Sequence, residues 1–101
     1  MRFTFREEDG TPITKVYVNP LTKKVTFKNY KEYFLDKAFG VKEHVTYEDV
    51  LNFLEERTVP RNRERIDLIL SELHLKEYDP VALCKYFGGR VGEDHRYVEF
   101  E

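Results

Sequence analysis

Val59-Pro60-Arg61-Asn62-Arg63-Glu64-Arg65-Ile66-Asp67-Leu68-Ile69-Leu70-Ser71-Glu72-Leu73 opens on a valine and a proline, sets three arginines within five residues, and then places Ile66, Ile69, Leu70 and Leu73 at i, i+3, i+4 and i+7. That spacing is one face of a helix. With Pro60 at its start, the stretch predicts a helix from Pro60 to about His74. One element then joins an apolar face for the core to the densest positive charge in the chain.

Two further helices flank it. Thr46 is a good N-cap, Asp49 stands at the capping-box position, and Tyr47, Val50, Leu51 and Leu54 repeat the same stripe. Asp79-Pro80 opens the other, with an N-cap acid and proline at the first helical position. Its stripe is Val81, Cys84 and Phe87, and Gly88-Gly89 ends it.

The N-terminal part reads as strand. Phe3 and Phe5 alternate with polar residues over 2–6, Asp9-Gly10 marks a turn, Ile13 to Val18 is β-rich, and Asn19-Pro20 turns the chain into Lys24 to Lys28. Arg96 to Phe100 alternates again as a closing strand. Between them, 29–45 reads either as a short helix around Tyr30, Tyr33 and Phe34, ended by Gly40, or as an aromatic loop plugging one end of the sheet. The order β-β-β, then three helices, then β predicts a single α+β domain over 1–101: a small antiparallel meander packed against about three helices.

At 101 residues, 41% of them apolar, the chain is long enough to bury a core, and no apolar run approaches a membrane span. One cysteine, Cys84, excludes an internal disulfide and fits a reducing compartment. The N-terminal residues lack the apolar run of a signal peptide, so the expected location is cytoplasmic. Residues 1–45 carry nine Lys/Arg against six Asp/Glu and residues 46–101 eight against thirteen, which allows the two parts to face different partners.

Arg57, Arg61, Arg63 and Arg65 are the first candidates for binding, because guanidiniums around a helix start suit an anion, including a phosphate backbone. The neighbouring acids favour internal pairing: Arg63 can meet Asp67 one turn on, while Arg61, which Glu64 could also pair, leans towards binding in the first turn beside Pro60. If an acidic surface acts, it is Glu48, Glu55 and Glu56 on the outer side of the first helix. Asp94-His95 lacks a nucleophile within its motif, and His44, His74, His95 and Cys84 have no metal-ligand spacing. The expectation is a non-enzyme with no cofactor and no metal.

Arg57-Thr-Val-Pro-Arg-Asn-Arg, Tyr78-Asp79-Pro80, Gly89-Arg90 and Glu93-Asp94-His95-x-Tyr97-Val98 together resemble a C-terminal module of small accessory proteins of plasmids and conjugative elements. The resemblance covers under half of the chain, and Arg90, within that stretch, is also a candidate binding residue. It implies a mobile-element setting, where some accessory proteins are anti-CRISPR inhibitors of type II CRISPR nucleases. Those are small, non-enzymatic as a rule, and work by occupying nucleic-acid or partner surfaces. No inhibitor's binding residues match this chain residue by residue. The implied partner is a protein, such as a CRISPR nuclease or its nucleic-acid complex. The alternative is a nucleic-acid-binding accessory factor using Arg57 to Arg65, with sheet lysines such as Lys15, Lys24 and Lys28.

Overall fold

The computed structural model describes residues 1–31, 37–91 and 94–101. Four strands, β1 (Arg2–Arg6), β2 (Pro12–Val18), β3 (Val25–Asn29) and β4 (Tyr97–Phe100), enclose three helices in the chain: α1 (Tyr47–Glu56), α2 (Ile66–Glu72) and α3 (Pro80–Phe87). The fold is α+β, as the periodicities predict. The strands form one antiparallel sheet in the order β3-β2-β1-β4. β4 returns after the helices to lie beside β1, a Greek-key order.

Turn chemistry sets the registers. The Gly10 amide donates to Glu7 O, and Asp9 Oδ1 accepts from the Thr11 amide, both at 2.9 Å. In the next turn Asn19 Oδ1 accepts from the Leu21 and Thr22 amides, a local bond that asparagine makes readily. Opposite residues share a face, so Phe3, Phe5, Val16, Val18, Val25, Phe27, Val98 and Phe100 fall on one side. An irregularity between Phe5 and Arg6 skips Ile13, which is fully buried.

α1 and α3 cover that side. Val50, Phe53 and Leu54 are buried from α1, and Pro80, Leu83 and Cys84 from α3. The Phe53 ring lies 6.2 Å from Phe3, 5.1 Å from Phe5 and 5.6 Å from Phe39. The expected α1 stripe holds at Val50 and Leu54, with Tyr47 packed at the edge of the core, but Phe53 and the residue after the helix are buried in it and Leu51 is only half-buried. Phe87, expected in the α3 core stripe, is 41% exposed.

Both expected caps are present. Thr46 and Asp49 form the reciprocal capping box. The Lys42 ammonium at 2.7 Å, with the Thr46 amide, holds the Asp49 carboxyl at about 2. Asp79 Oδ1 accepts from the Val81 and Ala82 amides, with Pro80 at the first helical position. Asp79→Ala is expected to cost about 0.5–2 kcal/mol in urea unfolding. An unchanged midpoint would mean that Asp79 does not start α3.

The opening stretch departs most from expectation. α2 begins at Ile66, not at Pro60, and buries none of its residues. Arg65 sits before it with φ 63° and no side-chain cap. A residue in the left-handed region cannot continue a right-handed helix backwards. Residues 60–66 close four-residue turns instead, Arg63 N to Pro60 O and Ile66 N to Arg63 O, both at 3.1 Å. In 29–45, residues 37–44 are turns and bends, and Phe39 packs on Phe27 and Phe53. The part of the predicted short helix at Tyr33 and Phe34 lies outside the described residues.

Candidate functional site

Arg57 leaves the cluster altogether. It is the residue after α1, 7% exposed, and occupies the i+7 place of the Val50, Phe53, Leu54 stripe. Its Nε donates to Gly89 O at 3.0 Å, Nη1 to Asp94 Oδ2 at 2.5 Å, and Nη2 to Asp94 Oδ1 at 3.1 Å and Arg96 O at 2.9 Å. Its guanidinium carbon stands 4.8 Å from the Phe5 ring centroid. One side chain thus joins α1, β1, the segment after α3 and the start of β4. The Arg57 fork, helped by the Arg96 amide, holds the Asp94 carboxyl below the usual carboxylate range. With four of its five N–H groups engaged and the side chain buried, Arg57 is corrected from a binding residue to an internal latch.

The remaining arginines divide. Arg61 bonds Glu55 at 3.3 Å and stacks 4.4 Å over the Tyr78 ring, whose hydroxyl donates to Val59 O at 2.6 Å. Glu55 is therefore drawn out of the expected acidic surface, and Glu48 and Glu56 remain as its exposed members. Among the described residues, no carboxylate lies within ion-pair distance of Arg63 or Arg65, and the expected Arg63–Asp67 pair does not form. The short α2 explains this: Arg63 precedes the helix, so a four-residue offset no longer sets it over Asp67. Arg90 stacks 4.8 Å from the Tyr97 ring.

Arg63 and Arg90 come together on the rim of a groove of about 580 Å³ between α2 and the end of α3. Its walls are Val59, Ile69, Leu73, Phe87 and Val91, with Tyr86 beside them and Glu72 the one acid among the described lining residues. Tyr86 is 68% exposed and Val91 38%. Thr58 also lines the groove, and its buried hydroxyl has no hydrogen-bond partner among the described residues. The groove exists because α1 and α3 already fill the sheet face, which leaves the α2 stripe half-covered.

Two of the residues considered for chemistry, Cys84 and Asp94, are held structurally. Cys84 is buried, its thiol meets Leu54 O at 3.0 Å, and burial pushes it up to about 12. Asp94 is engaged by Arg57 and the Arg96 amide. Among the described residues no three His, Cys, Asp or Glu side chains are placed to hold a metal ion, and no helix is long and apolar enough to cross a membrane.

Two signals were readable in the sequence and not used. Arg57 lies at the i+7 position from Val50, and Gly89 follows a glycine that already ends the helix. Gly89 is buried at φ +61°, where a β-carbon would stand 2.7 Å from Val98 Cβ. Comparison with known proteins finds no matching family model, no matching curated protein and no matching solved structure.

Proposed function

We propose that this chain is a non-enzymatic binding protein that takes a segment of a partner protein in the α2–α3 groove. The observation that carries this reading is the half-covered α2 stripe beside Arg63 and Arg90, neither of which has an ion-pair partner among the described residues. Exposed aromatic and arginine side chains around an apolar floor are the composition of binding hot spots. A groove walled by two helices suits an amphipathic helix. Two arginines against Glu72, the single acid among the described lining residues, favour acids on that helix, flanking its apolar anchors.

Selection from a library of random amphipathic peptides is expected to enrich acidic sequences. Arg63→Glu/Arg90→Glu is expected to weaken the selected peptide at least about tenfold, a loss of roughly 1.4 kcal/mol or more, with only the small fall in melting temperature that the lost Arg90–Tyr97 stacking brings. Failure to enrich any peptide, or equal binding by the variant, overturns the groove as the site.

The mobile-element resemblance gives the finer form, an anti-CRISPR protein that blocks a type II CRISPR nuclease by protein contact. A cleavage assay with purified nuclease, guide and target decides it, and full cleavage at excess protein removes it. A phosphate-binding role for the whole Arg57 to Arg65 cluster is the weaker reading, since Arg57 is buried and Arg61 is paired.

A further inference from the structure

The second face of the sheet has the opposite character to its core face. Arg2, Thr4, Lys15, Tyr17, Thr26 and Lys28 share it by register, and a shallow groove of about 480 Å³ there is lined only by β1, β2, β3 and Glu101. Lys15 and Lys28 stand directly opposite each other on β2 and β3, and both are exposed. Like charges in that position destabilise a sheet. Among the described residues no carboxylate lies within ion-pair distance of Arg2, Lys15 or Lys28. Each sits instead over an aromatic ring: Arg2 4.9 Å from Tyr17, Lys28 5.0 Å and Lys15 5.9 Å from Tyr30. Of the acids on this face, Glu99 pairs with Arg6 at 3.2 Å and Glu101 lines one end of the groove beside Arg2.

We infer that this face binds single-stranded RNA, independently of the α2–α3 groove. Three cations on one open surface complement a phosphate backbone. Tyrosine rings among them serve unstacked bases, which a duplex does not offer. The hydroxyls of Thr26, Tyr17 and Tyr30 can both donate and accept, which matches a ribose 2′-hydroxyl. The repelling Lys15–Lys28 pair is relieved when phosphates lie between the two ammoniums.

The test is fluorescence-anisotropy titration of the whole protein with a twelve-nucleotide oligouridylate, the matched oligothymidylate and an RNA duplex. Binding of the oligouridylate is expected, with a slope of log K on log salt near −2, from roughly −0.7 per phosphate for three cations. Lys15→Glu is the informative variant. It turns a repelling cross-strand pair into an attracting one, so its melting temperature should not fall, while oligouridylate binding should weaken at least about tenfold, the loss of a good contact. Lys28→Gln keeps the fold in question separate from charge reversal and should also weaken binding. Arg63→Glu should bind as the parent does. No oligouridylate binding at low salt, parent-like binding by Lys15→Glu, or equal or tighter binding of the oligothymidylate or the duplex each overturns the inference.

Discussion

Arg57→Ala is expected to destabilise the protein by about 2–4 kcal/mol, since breaking a buried pair strands its partners and Asp94, 38% exposed, recovers part of the loss by hydration. For a domain of this size that is a fall in Tm on the order of 10–20 °C. Gly89 O and Arg96 O lose their donors, and the Phe5 ring loses the nearer of its two cations, keeping Arg96 at 6.0 Å. Arg57→Lys should recover little, because an ammonium cannot make the two-pronged bond to Asp94 while reaching both carbonyls. The pH dependence checks the cause. Asp94 is held below its ordinary value, so its pairing stabilises the fold above about pH 4 and the contribution is lost as pH falls through the lowered value. The gap between parent and Arg57→Ala should therefore narrow in acid. Asp49, also lowered, is paired with Lys42 in both proteins and drops out of the difference. A gap that is small at neutral pH, or that widens in acid, would contradict the latch.

Gly89→Ala is the second large effect, again about 2–4 kcal/mol, from left-handed backbone strain together with overpacking against a strand. The added carbon meets Val98 Cβ and Cγ2 at 2.7 Å and the Val98 amide at 3.2 Å. Gly88→Ala is the matched control. It shares the positive φ, at 76°, but its nearest neighbour is the end of Arg90 at 3.9 Å. It should cost only about 1 kcal/mol, the usual price of the left-handed region. Chemical unfolding of the pair measures the difference, and equal losses would mean that α3 and β4 can separate without harm.

The sheet was legible because its signals are local: alternation over five to seven residues and turns that bond to themselves. The caps of α1 and α3 were legible for the same reason. α2 was misread because i, i+3, i+4, i+7 reports that a face is apolar, not that anything covers it. Ile66, Ile69, Leu70 and Leu73 fit the period and end half-buried, since the sheet face was already filled. Periodicity also admits two stripes in α1, and the exposed Leu68 and Phe87 show that hydropathy alone does not place a residue inside. Arg57 was grouped with Arg61 and Arg63 by nearness in sequence. Its actual partners, Gly89, Asp94 and Arg96, lie more than thirty residues away, beyond any local pattern. The lysine pair of the open sheet face needed the register of β2 against β3, which turn residues suggest but only the pairing shows.

The groove is tested most directly by titrating a selected acidic peptide into uniformly 15N-labelled protein and following amide shifts. The predicted result is perturbation concentrated at Val59, Ile69, Leu73, Phe87, Arg90 and Val91. Shifts centred instead on Glu48 and Glu56 of α1, or on the strands around Lys15 and Lys28, would contradict it.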